Sequence, residues 1–469
     1  MGRDRLEMTD IREILKEAMA RDGVISFARF MELALYCPNF GYYERMEGAP
    51  GQKGDFYTSV SVGPLFGELL AAQFADWLKA SAESGARSAE FSASSEEHAM
   101  GRDRSLQILE AGAHDGRLAA DILRWLTAHE PELSKQVEYW ILEPSAMRRK
   151  TQEATLGKFA GRVRWFGSWR EVPAEGVRGV IFANELLDAM PVHRLGWDAA
   201  KREWFEWGVT MRGDDLPNLL WSLKPISPAV SSPSPPVGER VGMRGYQPPA
   251  VHGEEFVWAR MEFAIQGRAG APLPAANVLD AFGLSGSGVS NADNSTSAPG
   301  NFALRTPHSE LLKVLPDGFT TEICPAATEW WRAAARALKA GKLMTFDYGL
   351  AAEQFFTPER REGTLRAYYR HHQSNDLLAR PGEQDLTAQV NFTAISAAGE
   401  SEGLNTETLT CQGQFLVGVV GKNCCDQPAV KEWTPSRVRQ FQTLTHPEHL
   451  GRAFRVLVQG RCLKFKIEN

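Results

Sequence analysis

Two groups of residues have the types and spacing for chemistry. The first lies in LQILEAGAHDGRLAADIL, Leu106 to Leu123. A short apolar run ends at Glu110, Gly112 and Gly116 follow with three residues between them, and a helical pattern begins. This order puts a helix N-terminus, with its unpaired N–H groups, beneath a bound ligand. Dinucleotide-binding turns carry a middle glycine, in G-x-G-x-x-G, where the backbone approaches a pyrophosphate. His114 stands at that place here, so a close phosphate approach is not required. An adenosine ligand without phosphate, S-adenosylmethionine (SAM), fits the turn better. Its ammonium calls for a carboxylate or carbonyl, for which Glu110 and Asp115 are the candidates. Its ribose calls for an acid at the end of the next strand, which is Glu143 in ILEPS. The plainer alternative is an α/β turn with an incidental glycine pair and a solvated Glu143.

The second group is Asn184, Glu185 and Asp188, in ANELLDAMPVHR after another apolar run. The carboxyl edge of an open α/β sheet is where such folds place their sites. If the acceptor is a guanidinium, paired acids there make chemical sense, since it stays protonated, binds a carboxylate through two hydrogen bonds, and must lose a proton once alkylated. Glu185 and Asp188 are three apart, a spacing that puts both on one face of a helical turn. The alternative is an acid cluster at the start of the next helix, favoured by its dipole. Asp347, Tyr348 and Gly349 end a later strand and are expected to close the same pocket. Asp385 and Thr387 could line it, but a helix cap is the favoured reading. Glu68 faces either cofactor or water. Tyr368, Arg370, His371 and His372 resemble a metal cluster, yet adjacent histidines on one short segment rarely share an ion, and no metal site is expected.

The elements that must position these residues alternate. Strands are predicted at Leu106–Ala111, Glu138–Leu142, Val163–Phe166, Gly179–Ala183 and Leu343–Gly349. Two late apolar runs, FLVGVVG from Phe415 and FRVLVQG from Phe454, are further strand candidates. Helices are predicted from Ile11 to Met19, over FARFMELALY capped by Ser26, from Pro64, and from Leu118 to Leu126. Ala82 to Ser105 is read as a surface loop. Alternation of this kind gives a parallel sheet with helices on both faces. The long gap between Ala183 and Leu343 exceeds a normal crossover. An insertion is therefore placed at 196–322, with low-complexity, disordered pieces at 225–249 and 285–300. The remaining divisions are 1–54, a helical extension, with 55–195 and 323–469 forming the two parts of the core.

The 469 residues are 43% hydrophobic and 23% charged, with a net charge of -6. That is an ordinary globular composition, and its sign argues against a nucleic-acid partner. No run of 18 apolar residues is present, so no membrane span is expected. Six cysteines in so long a chain and an N-terminus without an apolar core segment lead to the expectation of a reduced, cytoplasmic protein.

Ordered motifs along most of the chain resemble the MidA family. They include ISFARFMELALYCPNFGYY, GDFYTSVSVGPLFGELLA, EAGAHDGRLAADIL and ANELLDAMPVHR. Further on come LPDGFTTEICPAATEWW, DYG at Asp347, RPGEQDLTAQVNFTAI and TCQGQFL. Cys37 and Asn391 depart from the pattern, which has histidine and aspartate there. The resemblance implies a class I SAM-dependent methyltransferase: a Rossmann-like α/β fold, a seven-stranded, mostly parallel sheet with helices on both faces, an N-terminal helical extension and an inserted region. It implies SAM as cofactor and adds Gly54, Asp55, Thr58 and Ser59 to the cofactor site, where the residues alone show only a turn with helix caps. Mitochondrial members methylate an arginine of a respiratory-complex subunit, so a protein substrate is expected. The oligomeric state stays open, with a homodimer one option. The competing readings are a small-molecule methyltransferase, a non-catalytic SAM-binding assembly factor and, least supported, a nicotinamide-dependent oxidoreductase.

Overall fold

The computed structural model describes residues 10–45, 58–91, 105–212, 256–261, 278, 281–282, 308–370, 372–424 and 433–461. Its strands, in chain order, are β1 (Ile25–Ser26), β2 (Leu106–Ala111), β3 (Val137–Leu142), β4 (Val163–Phe166), β5 (Val177–Asn184), β6 (His193–Asp198), β7 (Glu203–Met211) and β8 (Phe256–Met261). They continue with β9 (Thr320–Ile323), β10 (Leu338–Leu350), β11 (Arg366–Tyr369), β12 (His372–Ser374), β13 (Asp385–Thr387), β14 (Val390–Asn391), β15 (Asn405–Cys411) and β16 (Phe454–Arg461).

The main sheet runs β15-β16-β10-β5-β2-β3-β4, with the two-residue β14 paired beside β10. Seven strands were expected; the sheet has eight, because β14 pairs with Gly349 and Leu350 at the end of β10. Neighbours are parallel except at β16, which is antiparallel to both β10 and β15. From β2 the chain steps outward to β3 and β4, then returns to β5 on the other side of β2. That reversal opens a crevice beyond the carboxyl ends of β2 and β5, the usual ligand site of such sheets. Register brings the crevice residues level: Glu110 lies opposite Phe182, Ala111 opposite Ala183, and Phe346 opposite Asn184.

Both faces of the sheet are covered. The Leu65–Phe91 helix buries Phe66, Leu70, Phe74 and Leu78 against Ile108, Val180 and Phe346. On the opposite face Trp331, Ala334, Phe392 and Ile395 pack on Leu109, Ile181 and Leu343. The near-continuous apolar runs of β2 and β5 follow from burial on both sides. A second sheet has the order β1-β7-β6-β9 with β8 on β7. It joins the N-terminal segment to strands of the 196–322 region, because Ile25 pairs with Val209. A third, small sheet of β12-β11-β13 carries Asp385 and Thr387.

The structure corrects three element assignments. FLVGVVG is not a strand but part of the Gln412–Cys424 helix. Leu416 and Val419, three apart, are buried while Val417 is exposed, which is helical spacing in a run too short for periodicity to decide. The strand in that part of the sheet is β15, NTETLTC, an edge strand that is largely exposed and so shows no apolar alternation. The third correction concerns 82–91, which continues the preceding helix; its Ala- and Glu-rich sequence favours a helix over the expected loop. The pieces 225–249 and 285–300 lie outside the described residues.

Candidate active site

The crevice holds a cavity of about 450 Å³, within the size range of small-ligand sites. Its wall on one side is the turn after β2. Gly112 has φ +71°, His114 +48° and Gly116 +81°. Three left-handed residues in five let the backbone fold back on itself and open directly into the Arg117–His129 helix, with Gly116 at its start. His114 therefore adopts a conformation that glycine favours, at the very place where nucleotide turns carry glycine. The loop is closed by Gly116 N–H donating to Ala113 O at 2.7 Å, and the Gln152 amide donates to His114 O at 3.1 Å.

Two acids flank this turn. Glu110 is 2% exposed and accepts from the Tyr139 hydroxyl at 2.6 Å. Burial outweighs that bond and pushes its pKa up to about 8. Glu143 is buried at the end of β3, accepting from Ser145 N–H at 3.0 Å on one oxygen and from the Gln152 amide at 3.0 Å on the other. A carboxylate has about four acceptor positions, so capacity remains for two hydroxyls. Burial pushes Asp115 up, but its bonds to His114 and Arg117 more than offset this and hold it at about 2.

The second wall is the segment after β5. Asn184, Glu185 and Asp188 all line the cavity, as expected, but no helix carries them. Residues 185–192 form a bend and turn. The cause is Asp347, whose carboxylate accepts from Leu186 N–H at 3.2 Å and Leu187 N–H at 2.8 Å, and from Tyr348 N–H at 2.9 Å. A buried acceptor 160 residues away takes the N–H groups that a helix would leave to its own cap. Asp347 is thus a positioning residue behind the wall, and Tyr348 is the member of DYG that reaches the cavity. Gly349 packs on Phe392, where a Cβ would come within 2.3 Å of the ring.

Glu185 has φ +51°, a strained setting of the kind that clusters at functional sites. Its N–H donates to Phe346 O at 2.9 Å, and its carboxyl accepts from the Asn184 amide at 3.1 Å and Ser59 N–H at 3.4 Å. Burial, with Asp188 nearby, pushes Glu185 up to about 8. Burial followed by Asp347 and Asp385 raises Asp188 well above the carboxylate range. Burial likewise brings Asp347 to about 8 against its three N–H donors.

The remaining expectations divide. Thr58 lines the cavity. Ser59 is fully buried and binds Gln412 at 3.0 Å through its hydroxyl, so it meets the site only through Glu185. Gly54 and Asp55 lie outside the described residues. Glu68 does not line the cavity; it is partly exposed and paired with Arg437. Asp385 and Thr387 do not cap a helix; they form β13 and line the cavity. Asn391 is the residue that caps, accepting from Ala394 N–H at 3.0 Å. Among the described residues no group of three or more His, Cys, Asp or Glu is placed to hold a metal.

Sequence reasoning missed the aromatic side of the cavity. Tyr36 and Tyr43 line it, stacked at 5.5 Å between ring centroids. The Tyr36 hydroxyl donates to Ala189 O and that of Tyr43 to Asp385, each at 2.8 Å. The adjacent tyrosines of CPNFGYYE were the one available signal.

Two buried polar atoms of cavity-lining residues have no partner among the described residues, Asn184 Oδ1 and Trp169 Nε1. The first requires a donor and the second an acceptor. SAM supplies both kinds of atom, an ammonium and ribose or ring acceptors, so the residues present fit it.

The buried acids make stability depend on pH. In Glu110, Glu185 and Asp347 the folded pKa is near 8, above the ordinary range near 4. Between those values the folded chain holds more protons than the unfolded one, so stability falls as pH rises. The ligand-free melting temperature should be highest toward pH 5 and decline to pH 8; a melting temperature that climbs over that interval would show the acids are not buried as described. A second expectation concerns Asp347→Ala. It strips two backbone donors of the site loop of their acceptor and should cost about 2–5 kcal/mol in urea unfolding. A loss below about 0.5 kcal/mol, the size of a surface change, would count against the loop-holding role.

Comparison with known proteins agrees with this geometry. Residues 93–410 match the family described as "Putative S-adenosyl-L-methionine-dependent methyltransferase". The mitochondrial protein arginine methyltransferase NDUFAF7 of Mus musculus is 26% identical over 251 residues, 48% of this chain and 52% of that protein. The Homo sapiens protein of that name is 27% identical over 208 residues, 37% of this chain and 41% of its own. The matched segments thus span about half, or less, of these curated relatives. A solved Burkholderia thailandensis protein bound to S-adenosyl-homocysteine is 26% identical with a TM-score of 0.64, covering 96% of this chain and 92% of that one. With more than half its length matched by the family profile, the chain belongs to this S-adenosyl-L-methionine-dependent methyltransferase family.

Proposed function

We propose that the chain transfers a methyl group from SAM to a guanidinium nitrogen of an arginine in a protein. The observation that carries this reading is the pair Glu185 and Asp188 on the loop facing the cofactor turn. Among the described residues neither forms an ion pair with a protein cation, and both are pushed toward the neutral form. Such acids await a cation from outside.

In this reading Gly112 to Gly116 and the helix start behind them cradle the cofactor. Glu143 accepts from ribose hydroxyls, and Asn184 Oδ1 with Glu110 accepts from the ammonium. Bound SAM supplies an electrophilic methyl on a sulfonium. Glu185 and Asp188 bind the guanidinium, whose charge draws their pKa values down and makes them carboxylates where they are needed. They hold one nitrogen in line for displacement, the dominant requirement of such a transfer. The same carboxylates then favour departure of the proton that the alkylated guanidinium sheds. The relatives named as protein arginine methyltransferases support the choice of acceptor.

The test is label transfer. Purified protein, SAM labelled in the methyl group and a protein extract of cells lacking this gene are incubated, and the protein fraction is hydrolysed. Label in methylarginine supports the proposal. Label only in small molecules, or in another amino acid, contradicts it.

A further inference from the structure

One wall of the cavity is a seam between two parts of the chain. On one side is the N-terminal segment. Its Phe27–Tyr36 helix buries Phe27, Phe30 and Leu35 in an apolar cluster with Val209 and Leu386. A turn follows, in which Gly41 N–H donates to Cys37 O at 2.7 Å, and it delivers Tyr43 and Glu44 to the cavity wall. Facing them is the Ala146–Thr155 helix, whose one buried side chain is Gln152. Gln152 ties this helix to the glycine turn through His114 O. Among the described residues none of this helix belongs to the apolar cluster of the N-terminal segment.

Polar contacts therefore hold the seam. The Ser145 hydroxyl accepts from Arg148 N–H as the helix cap and donates to the Glu44 carboxylate at 2.9 Å. Arg148 Nε donates to Tyr43 O at 2.9 Å, and its guanidinium lies over the Tyr43 ring, 5.3 Å from the centroid. When such a seam parts, its polar groups pass to water and little apolar surface is exposed. Each bond contributes a small net free energy, and regions held this way open before an apolar core does.

The seam lies beside the acid assigned to the ribose. Glu143 lines the cavity together with Glu44 and Arg148. Burial raises the Glu143 pKa, Arg148 opposes this and Glu44 adds to it, so both side chains act on that carboxylate. A ligand of this size is largely enclosed by its pocket, and its exchange then depends on a part of the wall that moves.

Resting on the cofactor placement proposed above, we infer that the pairs Glu44–Ser145 and Tyr43–Arg148 form a clasp, and that the cofactor enters and leaves the cavity when this clasp parts. The apolar cluster anchors one side of the clasp and the glycine turn the other. The two polar pairs between them are the place where the wall yields.

Exchange kinetics test this on the full chain, by surface plasmon resonance with S-adenosyl-homocysteine. Arg148→Leu keeps an apolar stem and removes the donor to Tyr43 O. Glu44→Ala removes the acceptor of the Ser145 hydroxyl and leaves Ser145 to cap its helix. The clasp bonds join protein groups only, so weakening them favours the parted state with and without ligand alike. Association and dissociation rates should rise together, about tenfold in Arg148→Leu and about fivefold in Glu44→Ala, with Kd held within about threefold. Glu44→Gln keeps an acceptor oxygen for Ser145 and should exchange within about twofold of the unaltered protein. Glu44→Ala serves as the second test should Arg148→Leu unfold. Unchanged rates in both variants overturn the clasp and leave the cofactor placement standing. Faster dissociation alone, with Kd weakened by the same factor, also overturns it, because the residues would then be contacts of the cofactor and not a gate. Failure of the unaltered protein to bind S-adenosyl-homocysteine removes the cofactor placement itself, and the clasp with it.

Discussion

Gly112→Val should abolish S-adenosyl-homocysteine binding, by at least about 100-fold, in a chain that still folds. Gly112 has φ +71°, a region that β-branched residues avoid. Forcing valine there costs about 1–3 kcal/mol, or shifts the turn. The side chain also has no free place to go: a Cβ at this position would sit 2.9 Å from Leu186 Cδ1. Leu186 belongs to the loop held by Asp347, so relief on one side of the cavity disturbs the other. The core does not depend on this turn, because β2 and β5 remain paired beneath it. Unchanged far-ultraviolet circular dichroism with lost calorimetric binding is the expected result. Wild-type affinity in the variant would remove the turn from the cofactor site.

Glu185→Gln should lower methyl transfer about 100-fold, the lower end of what an acid–base group contributes, with S-adenosyl-homocysteine affinity held within about twofold. Glutamine preserves the shape and the acceptor oxygen that Asn184 and Ser59 N–H engage. What it removes is the charge that, in the proposed reaction, binds the guanidinium and draws off its proton. The loss should therefore appear in kcat and not in cofactor binding. Equal falls in both would place Glu185 at the cofactor. No fall in either would contradict the acceptor role proposed for Glu185.

The wall of the cavity proposed for the cofactor was legible in the sequence because it is local. Strand, glycine pair and helix lie within eighteen residues, and left-handed backbone leaves its mark in Gly112 and Gly116 even with histidine between them. The central parallel strands were legible for the same reason, since burial on both faces leaves near-continuous apolar runs in β2 and β5. The opposite wall, proposed for the acceptor, is built from distance. Glu185 to Asp188 read as a helical turn until Asp347 takes the Leu186 and Leu187 N–H groups. Asp385 reads as a cap because nothing nearby reveals that it pairs with β11 or that the hydroxyl of Tyr43, 342 residues away, donates to it. β15 was missed because an exposed edge strand has no core face to imprint on its sequence.

The most direct test of the central claim is calorimetric titration of the purified chain with SAM and with S-adenosyl-homocysteine, with NADH as the control. Saturable binding of the first two and none of NADH is the predicted result. A folded sample that binds neither, or that binds NADH in their place, would contradict it.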